Sequence, residues 1–297
     1  MTRHFILPAL VFIGVALSLP LPVQYIVAAC LLMVMGLPHG AFDIALEHQA
    51  RREAQLRPVA TGKMIALYVA IAGVMAAAWL TTPIGALLLF FLLAIEHFSE
   101  ELRRGLDPWI ARASATAFLT APLVLHRPEV DRLFSVILAS NTGEYVSDIL
   151  LLVAPVAIVV AISGVAILIA ESYYREAAKI SIVIAMMLLI PPIIAFTAYF
   201  CFDHAPRYLK KIDDRLALST SPRAMRQAAC FTVASLVAAV MLALMLHGSL
   251  LSEASIKAAF IILSVLTLPH ITMPGVLDRM TRRPAMIGRS STLAARV

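Results

Sequence analysis

Charge is what this sequence has least of. Only 14% of its 297 residues are Asp, Glu, Lys or Arg, where a soluble domain carries about a quarter. From His4 through Phe42 there is no charged residue at all, counting histidine as neutral. Cysteine is also scarce. Cys30, Cys201 and Cys230 lie in or beside apolar runs without CxxC spacing, which excludes a disulfide framework and a thiolate metal site. No polar segment is long enough to fold separately, so residues 1–297 read as one domain. The chain lacks HExxH, a phosphate-binding P-loop, GxSxG and tandem HxxxH or HxxHH boxes. Zinc proteases, nucleotide hydrolases, serine hydrolases and the membrane desaturases are thereby disfavoured.

What fills the space is hydrocarbon. Hydrophobic residues make up 61% of the chain and the mean hydropathy is +0.90. The expected fold is all-α, a polytopic transmembrane helix bundle in the cell inner membrane. A spanning helix needs about 20 apolar residues. Residues 5–42 are too long for one and break at Pro20-Leu21-Pro22, and residues 64–95 break at Thr81-Thr82-Pro83. Uncharged runs follow at 149–170, 180–202, 228–246 and 258–277. These predict eight crossings, with the shorter stretches 113–126 and 133–143 as a re-entrant pair. Residues 1–22 have no clean cleavage site after them and read as a first helix rather than a signal peptide.

The net charge of +6 resides in short loops at 44–63, 100–112 and 203–227 and in the tail from Arg279. That is the pattern of cytoplasmic loops, not of a nucleic-acid surface. Both termini are expected inside, with 279–297 a basic cytoplasmic tail.

Four histidines then fall at one depth. His39 (GLPHGAFD), His97 (AIEHFSEE), His204 (YFCFDHAPRY) and His270 (TLPHITMPGVLD) all approach the cytoplasmic side, each with a carboxylate nearby. Asp43, Glu100, Glu101, Asp203 and Asp278 are those carboxylates. A single histidine at a helix end often only meets the headgroups or the last carbonyls. Four from distant segments at one depth read better as a metal site, with the carboxylates orienting the second ring nitrogens. Pro38, Gly40, Pro269 and Pro274 would loosen the helices there. Iron, zinc and copper all suit imidazole, so the metal stays open at this level. His4, His48, His126 and His247 lack this setting.

The four motifs, in this order, resemble those of the membrane-bound β-carotene dioxygenases associated with microbial rhodopsins, the Brp/Blh family. GLPHGAFD is similar to its GxxHGxxD motif, AIEHFSEE to its second histidine motif, FDHAPRY to the third, and LPHITMPGVLD to the C-terminal proline–histidine motif. The resemblance implies Fe(2+), O₂ and a membrane-dissolved carotenoid. The central double bond of β-carotene would be split into two all-trans retinals for a rhodopsin to use. His39, His97 and His204 would be ligands. The third motif departs from the family: Tyr208 stands where a histidine is usual. His270 would then complete the set, or the chain would act on another carotenoid or be catalytically silent. Phe42, Phe98, Tyr199 and Phe202 are the expected tunnel residues beside the site. A membrane metal or ion transporter is the rival reading. It expects polar groups through the whole depth, whereas the opposite half here has almost none.

Overall fold

The computed structural model describes residues 3–103, 105–246 and 250–281, with side chains at 3–5, 39, 219, 274, 275 and 278–281 outside the description. Helices account for nearly all of it, with no strand among the described residues. In chain order they are α1 (Arg3–Leu17), α2 (Leu21–Gly40), α3 (Asp43–Glu53), α4 (Thr61–Thr81) and α5 (Pro83–Glu100). Then come α6 (Pro108–Thr120), α7 (Pro122–Leu125), α8 (Arg127–Leu138), α9 (Gly143–Ala170), α10 (Tyr174–Leu189) and α11 (Pro192–Tyr199). A π-helical turn, Phe200–His204, leads into α12 (Ala205–Leu216), and α13 (Pro222–Met245) and α14 (Leu251–Thr281) close the fold.

Proline sets many of the starts. Pro83, Pro108, Pro122, Pro192 and Pro222 each open a helix, where the missing N–H costs nothing and the fixed φ suits the first turn. At α6 the Asp107 carboxylate also accepts from the Trp109 backbone N–H at 2.8 Å, capping another free donor. The expected breaks at residues 20–22 and 81–83 are where α1 gives way to α2 and α4 to α5.

Six of the described helices are long and apolar enough to cross a membrane: α2 continued by α3, then α4, α5, α9, α13 and α14. Two of the eight expected crossings have another form. The first, α1, is only 15 residues long. The run 180–202, expected as one helix, divides at Ile190, whose backbone is extended (φ −106°, ψ 142°). Pro191 follows it, and a residue before proline is pushed out of the helical region. Residues 113–143 form the short helices α6 to α8, which pack against α9.

Lipid offers no hydrophobic drive between helices, so close packing must hold them. Small residues supply it where α6 meets α9: Ala111 and Ala115 on one helix, Ala157, Ala161 and Gly164 on the other, all buried. A Cβ at Gly164 would lie 2.4 Å from Ile110 Cγ2. The long helix α14 is the hub, touching α2, α4, α5, α8 and α13. Against α2 it comes close enough that a Cβ at Gly36 would sit 3.2 Å from Leu263, and the Phe200 ring of the π turn would lie 2.8 Å from the same Cβ. Between α14 and α4, Trp79 Nε1 donates to Ser264 Oγ at 2.6 Å. Outward faces are apolar too: Leu80, Leu152, Val156, Val233 and Leu244 are all exposed, as a lipid-facing surface requires.

Candidate metal centre

Three of the four singled-out imidazoles meet. His97 comes from the last turn of α5, His204 from the π-helical turn and His270 from the middle of α14. His97 Nε2 and His204 Nε2 are 3.2 Å apart, with the rings edge to face at 76°. The His270 ring centroid is 4.9 Å from that of His97. His204 is completely buried, and the His270 side chain is 8% exposed. The backbone of His39 lies at the end of α2, while its side chain lies outside the described residues, as does that of Asp278.

Local backbone irregularities put these rings where they are. The π turn at 200–204 widens the helix, and such bulges recur at functional sites because they re-aim a side chain. Pro38 sits near the end of α2 and Pro269 directly precedes His270; each removes an N–H from its helix ladder.

The carboxylates divide among the imidazoles. His270 Nδ1 is 2.8 Å from Asp43 Oδ1, and His204 Nδ1 is 3.3 Å from Glu101 Oε1. An imidazole that gives its Nδ1 proton to a carboxylate presents a bare Nε2 lone pair, the form a metal binds. Glu101 is 5% exposed at its side chain, whereas its neighbour Glu100 is exposed to the outside. Burial pushes the Glu101 carboxyl up, but His204, Arg207 and Lys179 around it win and hold it below the usual carboxylate range. Asp203 directly precedes His204 in the chain. It pairs with Arg207 and lies 3.6 Å from Lys179 Nζ, while Arg207 also reaches Glu101 Oε2 at 3.1 Å. Two carboxylates and two cations thus balance behind His204, as burial of charge demands. Glu96, beside His97, faces elsewhere and binds Arg103 and Arg112.

Aromatic rings close the site. Tyr208 stands 5.8 Å from His97, 5.5 Å from His270 and 6.4 Å from His204 between ring centroids. Phe98 packs edge-on to His204 at 4.8 Å, and Tyr199 lies 6.3 Å away. Phe42 belongs to a neighbouring cluster with Ala41, Ile212 and Ala228, against which Tyr208 packs. Phe202 turns toward Phe12 of α1 at 5.5 Å. Phe200, stacked on His204 at 5.2 Å and 28°, went unrecognised in the sequence, as did Lys179 and Arg207. Arg207 lies inside the third motif, and Lys179 is a charge at the edge of an apolar run, so both carried a legible signal.

A cavity of about 290 Å³ approaches the cluster from one side, lined by α2, α3, α4, α13 and α14 and ending at Asp43 and His270. None of the four expected tunnel residues lines it.

The donor chemistry fits a divalent cation. Two imidazole nitrogens held about 2.1 Å from one ion at neighbouring positions lie about 3.0–3.4 Å apart, and the His97–His204 pair has that spacing. Among the described residues no group of three or more His, Cys, Asp or Glu side chains stands ready to hold a metal ion; the His39 imidazole is not among them.

The fold and the cluster define a membrane-length helix bundle with a buried imidazole centre. The chain belongs to the β-carotene 15,15'-dioxygenase family, whose model matches residues 30–278. It is 26% identical over 257 residues to the β-carotene 15,15'-dioxygenase of uncultured marine bacterium 66A03, covering 83% of this chain and 91% of that protein. No solved structure matches it.

Proposed function

We propose that this protein cleaves β-carotene at its central 15,15' double bond with O₂ to give two all-trans retinals, using Fe(2+) held by His39, His97, His204 and His270. One double bond and one O₂ become two aldehydes, so no external reductant is consumed. The observation that carries the reading is the convergence of His97 and His204 to an Nε2–Nε2 distance of 3.2 Å beside His270. Bound iron would supply the redox chemistry that makes O₂ reactive toward an unactivated polyene, which offers no handle for acid–base catalysis. The protein's own share is orientation and exclusion. Asp43 lies 2.8 Å from His270 Nδ1 and Glu101 faces His204 Nδ1 at 3.3 Å, positions from which each carboxylate would keep the Nε2 of its imidazole unprotonated. Phe98, Phe200 and Tyr199 wall His204 off from water.

The site lies at the cytoplasmic side of the inner membrane in this reading, where a substrate dissolved in lipid arrives sideways between helices. Retinal made there would pass to a retinal-binding rhodopsin. The departure at Tyr208 favours a second reading, a family member that takes a different carotenoid or none. Expression in a bacterium that accumulates β-carotene separates the two. Retinal by chromatography, with iron in the purified protein and both lost in His97→Ala, supports cleavage. Intact carotene beside folded, iron-loaded protein would leave the second reading.

A further inference from the structure

The cavity beside His270 has a shape and a setting that the histidine cluster does not require. Among the described residues, the charged or imidazole groups lining it are Asp43 and His270, whose Oδ1 and Nδ1 atoms lie 2.8 Å apart. Its hydroxyls are mostly engaged: Thr267 donates to the Leu263 carbonyl at 2.7 Å and Tyr68 to that of Leu266 at 3.4 Å. The remaining wall is overwhelmingly hydrocarbon. A ligand suited to it carries no charge and little hydrogen-bonding capacity.

The cavity is bounded by α4 and α13, both of which pack on α14, and its lining residues Val69, Ala234 and Ala238 are exposed, which marks the open side. Small side chains keep it open. Ala234 and Ala238, one turn apart on α13, line the cavity together with Ala72 of α4. Their neighbours Val233, Leu236, Val237 and Val240 are large and exposed. Both α4 and α13 are membrane-length apolar helices, so the gap between them faces acyl chains rather than water. A volume of about 290 Å³ is at the small end of ligand sites, which run to about 1,000 Å³. That is room for one arm of a long molecule.

We propose that this cavity is the lateral entry and half-site for one arm of a linear polyene hydrocarbon, with Ala234 and Ala238 setting its width; this rests on reading the protein as a carotene-cleaving enzyme. An apolar ligand coming from lipid gains little by leaving it, so selection depends on shape. A ring or methyl-bearing chain fits only while these two positions stay small. The inner end then delivers the polyene past His270 to the His97–His204 pair.

The test fills the mouth. In β-carotene-accumulating cells, Ala238→Trp is expected to lower retinal output at least tenfold. Val237→Trp, on the lipid face of the same helix, is expected to leave it unchanged. Binding is read separately in a His97→Ala background, where β-carotene should copurify with the protein and be lost on adding Ala238→Trp. Retinal output from Ala238→Trp equal to wild type overturns the cavity assignment while leaving the cleavage reading standing. Carotene retained in a mouth-dependent way without any retinal supports the cavity and sinks cleavage. A wild type that neither cleaves nor retains carotene overturns both. Should Ala238→Trp not accumulate in the membrane, Ala238→Leu adds only a short aliphatic chain to a helix-favouring site. It should slow output several-fold, and an unchanged rate overturns the assignment.

Discussion

His97 and His204, 107 residues apart in the chain, bring their Nε2 atoms to 3.2 Å. Two neutral imidazoles gain little from such an approach unless they share a proton or a cation. In the proposed iron reading the two nitrogens share the cation, with Glu101 facing Nδ1 of His204. His97→Ala should therefore remove iron measured by elemental analysis, and retinal formation with it. The expected loss exceeds the roughly 10–100-fold seen on removing a ligand's hydrogen-bond partner. Full iron content in this variant would place the metal elsewhere.

Glu101→Gln tests the carboxylate behind His204. An amide can still accept the Nδ1 proton but does not stabilise the ring electrostatically, so iron affinity should fall about 10–100-fold. The change also leaves Lys179 and Arg207 facing Asp203 alone. Removing one partner from a buried charge group costs about 3–5 kcal/mol, to be read as a lowered unfolding midpoint in detergent. Glu100→Gln, at an exposed position, should do neither.

Tyr208 lies within 5.5–6.4 Å of three imidazole rings, between centroids, and a neutral phenol is a poor ligand for ferrous iron. Tyr208→Phe should hold iron within about twofold of wild type, since no metal–ligand bond is lost. Tyr208→His offers a further imidazole and should retain iron through a chelator challenge at least as well. Iron lost on Tyr208→Phe would make the tyrosine a ligand after all.

Away from the site, Ser264→Ala leaves the Trp79 indole N–H without its acceptor between α4 and α14. A buried donor left unpaired costs about 1–3 kcal/mol. The unfolding midpoint should drop while iron content per folded protein stays constant.

Much of the architecture was legible beforehand. Hydropathy and proline placement announced the breaks between α1 and α2 and between α4 and α5, and the absence of charge announced the membrane class. The division of residues 180–202 was also written in Ile190-Pro191, although continuous hydropathy masked it. His97, His204 and His270 stand out because each approaches the same side in or at the end of an apolar run, with a carboxylate nearby. Their partners did not follow from spacing. Asp43, four residues after His39, bonds His270, which is 227 residues away. Glu101, four after His97, faces His204. Nearness in sequence does not give packing either: Phe202 turns to Phe12 of α1, and the cavity is lined by α2, α3, α4, α13 and α14.

By itself the sequence determined the helical class, the helix breaks at residues 20–22 and 81–83 and the residue types able to hold a metal. These depend on local quantities: hydropathy along a run, the fixed φ of proline, the identity of a side chain. Only the tertiary structure decided which carboxylate serves which imidazole, how the π turn aims His204, and where the bundle stays open. Those outcomes depend on the rotation and separation of helices from distant parts of the chain. Contacts as close as Gly36 against Phe200 set them, and no local pattern records such a contact.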